Sequence, residues 1–135
     1  MENIALYHQT GLAMGLASVL LLLQVLVADV AGVFAKHTPG EMPAVDHSKF
    51  HFRSTRAFSN MNETIAVFIL FALVGILSGA NAVWLGRFAW VYLFARSAYA
   101  ICYWMNWKLA RSVMFGFSVL GLIGLGIVMA GGLMH

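Results

Sequence analysis

The chain has 135 residues, 61% of them apolar and only 10% charged, whereas soluble domains carry about 25% charged residues. Length bounds it to one domain, residues 1–135, and composition places that domain in a membrane. The net charge of +3 excludes a nucleic-acid reading, because the basic residues are scattered and form no soluble basic patch.

Four apolar runs, 12–34, 61–80, 82–105 and 113–134, follow one another along the chain. Each is near the ~20 residues that cross a ~30 Å hydrocarbon core as helix. They predict an all-α integral membrane protein, an up-down bundle of four transmembrane helices. No basic segment precedes the first run, and Glu2 and Asn3 are its only early polar company, so it reads as a retained span and not as a signal peptide.

Between the first two runs lies "KHTPGEMPAVDHSKFHFRS", residues 36–54, which holds both prolines and His37, His47 and His51. It reads as a functional loop, since the other connections are only a few residues long. Its histidines lack a zinc-ligand spacing and read as solvated side chains, with no metal implied. Lys36, Lys49, Arg53 and Arg56 fall in or just after this first connection and Lys108 and Arg111 in the third. The positive-inside rule therefore puts those two connections in the cytoplasm and both termini outside, periplasmic or lumenal.

Cys102 is the lone cysteine, so the chain forms no internal disulfide, and the residue reads as a small apolar side chain of the third span. Trp84, Trp90, Trp104 and Trp107 read as interfacial anchors and packing groups. The glycines of the fourth run, with the GxxxG spacings Gly11/Gly15 and Gly75/Gly79, predict close helix approach in a compact bundle.

Polar residues inside apolar runs are costly and need a reason. In "FRSTRAFSNMNETIAVF", Arg53, Arg56, Asn60 and Glu63 recur at spacings of three and four, one stripe of a helix. Arg96, Tyr99 and Tyr103 make a second stripe in "ARSAYAICY". Antiparallel helices would bring Glu63 and Arg96 to one depth, ~15 Å from the cytoplasmic end, where a buried bridge between them is one expectation. A bridge needs a single cation, however, while Arg53, Arg56, Arg96 and Arg111 gather around one acid. The surplus positive charge asks for an anion: guanidiniums suit carboxylates and Glu63 suits an ammonium. A small zwitterion with more than one carboxylate fits, and glutathione is such a molecule, with a thiol as its reactive atom.

"RAFSNMNETIAVF", "ARSAYAICY" and "LARS" together resemble the MAPEG family, the membrane-associated proteins in eicosanoid and glutathione metabolism. The most specific part is the RAxxNxxE pattern at Arg56, Ala57, Asn60 and Glu63. Val67 stands where family members usually have proline, which implies a straighter second helix, and Ser59 stands where some have a basic residue. The resemblance implies a homotrimer of four-helix subunits that holds glutathione between neighbours near the cytoplasmic side, with a lipophilic small molecule reaching the thiol from the membrane lipids. It makes Arg56, Asn60, Glu63, Arg96, Tyr99, Arg53 and, loosely, Lys36 glutathione contacts, and Arg111 and Tyr103 the catalytic pair at the sulfur.

The activity so implied is that of a glutathione transferase or peroxidase in detoxification or eicosanoid-type metabolism, attacking a lipophilic electrophile or hydroperoxide. Two other classes fit these residues less well. A non-catalytic lipid-binding protein on the same scaffold would not need Arg56, Glu63, Tyr103 and Arg111 together. A small four-helix transporter of cations would not surround its carboxylate with arginines.

Overall fold

In the computed structural model, which describes residues 2–135 apart from the side chain of Asn3, all four apolar runs are helical. A short α1, Glu2–Leu6, precedes α2, His8–Phe34, α3, Phe50–Leu77, α4, Ala82–Trp104, and α5, Lys108–Leu133. The fifth helix arises because Tyr7, with φ −99° and ψ 18°, leaves helical geometry. Its hydroxyl donates to the carbonyl of Ala80, tying the N-terminal turn to the α3–α4 connection.

Residues 36–54, expected as loop throughout, are loop only as far as Lys49, since α3 begins at Phe50. The cause is a local turn. Asp46 accepts hydrogen bonds from the Ser48 backbone N–H at 3.0 Å and from its hydroxyl at 2.6 Å, and Lys49 N–H donates to the Asp46 carbonyl at 3.1 Å. The Ser48 hydroxyl first, then its N–H and the charges of Lys49 and His47, hold the Asp46 carboxyl below its ordinary value. The support this turn draws from the carboxylate is therefore lost only as pH falls through that lowered range.

Three consecutive helices stop in the same way. After α2, α3 and α4 the chain passes through a left-handed residue, Lys36 at φ 53°, Gly79 at φ 71° and Asn106 at φ 60°. Each of the following N–H groups reaches back to the last turn, His37 to Gly32, Ala80 to Gly75 and Trp107 to Cys102, which satisfies carbonyls the helix leaves open. α4 starts on Asn81, whose side chain accepts from Trp84 N–H at 3.1 Å, an N-cap.

α4 is the centre of the bundle. It packs against α2, α3 and, most extensively, α5, and buries Leu85, Ala89, Tyr92, Arg96, Tyr99 and Tyr103 among others. The α4–α5 approach depends on small residues: a Cβ added at Gly121 would lie 3.0 Å from the backbone nitrogen of Tyr92, and one at Gly124 would overlap the Phe88 ring at 2.3 Å. Neither GxxxG spacing packs as a pair. Gly11 and Gly15 have open space within 4 Å, and Gly79 is the turn residue.

Apolar side chains cover the outside, with Phe34, Phe94 and Leu70 all more than half exposed. α2, α3 and α5 are long and apolar enough to cross a membrane; α4 is not in that set, because its polar groups dilute it. An integral membrane protein follows, since such a surface is stable in hydrocarbon and not in water.

Candidate functional site

The up-down order of the helices puts the end of α2, the start of α3, the end of α4 and the start of α5 at one end of the bundle. Arg53 and Arg56 lie in the first turns of α3, Tyr103 in the last turn of α4 and Arg111 in the first turn of α5. That end also holds a small cluster of Ala57, Tyr99 and Tyr103 against Trp104 and Met114.

Deepest is Arg96, fully buried. It donates from Nη1 to Asn60 Oδ1 at 2.6 Å and from Nη2 to Thr64 Oγ1 at 3.0 Å, and Tyr92 Oη lies 2.9 Å from the same Thr64 oxygen. Rings of Tyr99, Phe115 and Tyr92 surround its guanidinium at 5.1, 5.5 and 5.7 Å. No carboxylate is paired with it, and its Nε has no partner among the described residues.

The expected Glu63–Arg96 bridge is therefore not formed. Among the described residues the one ion pair joins Glu63 to Arg56, at 3.8 Å, with the two side chains 63% and 40% exposed. The reason is helix rotation. The buried line of α3 runs through Ala57, Met61, Ile65 and Phe68, and at ~100° per residue Glu63 sits ~200° round from Met61, facing outward. Asn60 and Thr64 flank the buried line and take Arg96 instead.

Nearest the loop, the Arg111 guanidinium stacks on the Tyr103 ring, 4.3 Å from its centroid, and its Nη1 is buried with no partner among the described residues. Tyr103 meets Tyr99 edge-on at 5.7 Å, so Arg111, Tyr103, Tyr99, Arg96 and Asn60 form one connected line through the polar half. A cavity of about 440 Å³ opens beside it, lined by His47, Arg56, Ser59 and Tyr103 among others. Glu63 reaches this group only through Arg56.

Arg53 takes another role. It donates to the carbonyls of His47 at 2.8 Å and Trp104 at 3.3 Å, fastening the loop to the end of α4. Lys36, exposed at the end of α2, joins none of these contacts. The loop histidines, read as solvated, are partly exposed and also make contacts: His47 Nε2 lies 3.4 Å from Tyr103 Oη, and His37 and His51 rings meet at 4.7 Å. Thr64, Tyr92 and His47 are the polar participants that sequence reasoning missed. Thr64, one helical turn beyond Asn60, and Tyr92, one turn before Arg96, left a spacing signal, whereas His47 left none.

Fold and site together define an all-α integral membrane protein with a cationic, tyrosine-lined cleft at one end of its bundle. The model of the MAPEG family matches residues 1–131, nearly the whole chain, and the chain belongs to that family. A comparison with curated proteins gives no match. Membership supports a membrane role in glutathione or eicosanoid chemistry.

Proposed function

We propose that the protein is a glutathione-dependent membrane transferase or peroxidase. The observation that carries this reading is the Arg111–Tyr103 stack, with its unpartnered buried Nη1, beside a cavity that Tyr103 and Arg56 both line. Glutathione would supply a thiol that attacks an electrophilic carbon or a peroxide oxygen. A free thiol of pKa about 8.5 is mostly protonated at neutral pH, and a guanidinium at short range favours its charged form. Arg111 holds that charge and Tyr103 donates a hydrogen bond to it. Arg56, with Lys36 beyond it at the loop end, holds carboxylates, Glu63 takes the ammonium, and Arg53, bonded to two carbonyls, fastens the loop beside them. Arg96, Asn60 and Tyr99 supply the floor beneath them.

α4, 23 residues long, reads as the fourth span, since ~20 residues suffice and Arg96, Tyr92, Tyr99 and Tyr103 face inward. The outward Arg56–Glu63 pair, on a helix apolar enough to cross a membrane, would be costly against lipid. That cost supports assembly as a homotrimer in which a neighbour covers it. The basic residues at the loop end favour a cytoplasmic site with both termini outside.

An apolar groove of about 920 Å³ between α2 and the start of α3, lined by Leu26, Val30, Phe34 and Phe50 among others, favours one second reading, a lipid-binding protein without catalysis. Titrating glutathione into the purified protein and following thiolate ultraviolet absorbance decides between them. Binding with a thiolate signal and turnover of 1-chloro-2,4-dinitrobenzene or a lipid hydroperoxide supports the enzyme. Binding of lipid with no thiolate and no turnover supports the second reading.

A further inference from the structure

A thiol that becomes a thiolate gives up a proton, and Arg111, always cationic, cannot receive it. Of the polar side chains lining the 440 Å³ cavity, His47, Thr55, Arg56, Ser59 and Tyr103, only His47 carries a side chain of the type that serves as a general base near neutral pH. Resting on the glutathione reading above, we propose that His47 receives the thiol proton through the hydroxyl of Tyr103.

The imidazole is held for this. Its Nε2 lies 3.4 Å from Tyr103 Oη, and the two rings are nearly parallel, 13° apart. Phe52 meets the imidazole edge-on at 4.9 Å, while Arg53 holds the His47 carbonyl at 2.8 Å. The charged groups nearest the imidazole are Arg56, which lines the same cavity, Arg53, bonded to the His47 carbonyl, and Arg111, stacked on Tyr103. Its near neighbours in the chain are Lys49 and Asp46, whose carboxylate oxygen is taken up by Ser48. With the proton on Nδ1, Nε2 accepts from the Tyr103 hydroxyl.

The transfer balances within the site. The S–H proton moves to Tyr103 Oη as the Tyr103 proton moves to His47 Nε2, leaving a thiolate, a neutral phenol and an imidazolium. Tyr103, now carrying the thiol's proton, donates it to the sulfur as a hydrogen bond. No proton enters solvent in this step, which a site using Arg111 alone cannot achieve.

Proton counting by calorimetry tests this. Glutathione is titrated into protein in lipid nanodiscs, at neutral pH, in two buffers of different ionisation enthalpy, with thiolate absorbance followed in parallel. The wild-type protein should form thiolate with almost no proton released. His47→Gln, which preserves a hydrogen-bond acceptor for Tyr103, should bind glutathione as well but release about one proton for each thiolate formed. Its kcat should fall by ~10²-fold with KM little changed, and the acid limb of kcat/KM should disappear. Tyr103→Phe, retaining the ring under Arg111, should lose the silent transfer in the same way. A His47→Gln protein with wild-type proton count, acid limb and kcat overturns the proposal and leaves the glutathione reading standing. A wild-type protein that binds no glutathione overturns that reading and this one with it.

Discussion

From the middle of the bundle toward the α3–α4 turn the helices meet through small residues and aromatic carbon. Gly121 and Gly124 admit Tyr92 and Phe88, and Phe68 stacks on Tyr92 at 4.2 Å within a large apolar cluster. At the loop end they meet through Arg96 on Asn60, Arg111 on Tyr103 and Arg53 on two carbonyls. The first region settles the bundle; the second spends polar groups where hydrocarbon is cheaper. Separating the two lets a few residues near the loop be chosen for chemistry while packing elsewhere holds the helices in register.

The largest effect should come from Arg111→Ala at the loop end: thiolate absorbance at neutral pH disappears and conjugation or peroxidase turnover falls by ~10²–10³-fold, the scale of losing one preorganised charge contact. Glutathione affinity and thermal midpoint should stay near wild type. A comparable fall in midpoint would show that the two regions are not separable. In the apolar region, Gly121→Val forces a side chain against the Tyr92 backbone and should cost ~1–3 kcal/mol, read as a lower thermal midpoint in detergent with kcat of the surviving fold unchanged.

Asn60→Ala sharpens the boundary between the regions. It removes an acceptor from a buried guanidinium and should lower stability by ~1.5–3 kcal/mol, whereas Glu63→Gln, acting on a pair exposed on the single subunit, should cost the detergent-separated subunit no more than ~1 kcal/mol. The opposite ranking in thermal melts would restore Glu63 as the partner of Arg96. Smallest is Lys36→Gly. Relief of the left-handed backbone should raise stability by ~1 kcal/mol and weaken glutathione binding by less than ~5-fold, the share of a solvated charge.

The apolar runs and the spacing of three and four made the long helices and both polar stripes legible in the sequence. Rotation about the helix axis was not. Arg56, Asn60 and Glu63 share a broad stripe, but which of them faces Arg96 depends on where Met61 and Ile65 are buried, and that is decided by packing against other helices. Depth alone suggested Glu63, and the structure gives Asn60 and Thr64. His47 was illegible for another reason: its contact with Tyr103 spans 56 residues and runs from a loop without periodicity to carry the signal. The early start of α3 depended on the Asp46–Ser48 turn, a local hydrogen-bond pattern that hydropathy does not register.

Arg53 has a kinetic consequence. Its guanidinium grips one carbonyl in the long loop and another at the end of α4, so the two connections at this end share a single latch. Hydrogen bonds to a charged donor contribute ~1.5–3 kcal/mol each, enough to hold a segment that would otherwise fluctuate in nanoseconds to microseconds. Swinging the His47 turn outward breaks the first grip and unsettles the second, so a bulky conjugate leaving past the loop would depart at the pace of that latch and not at the pace of diffusion.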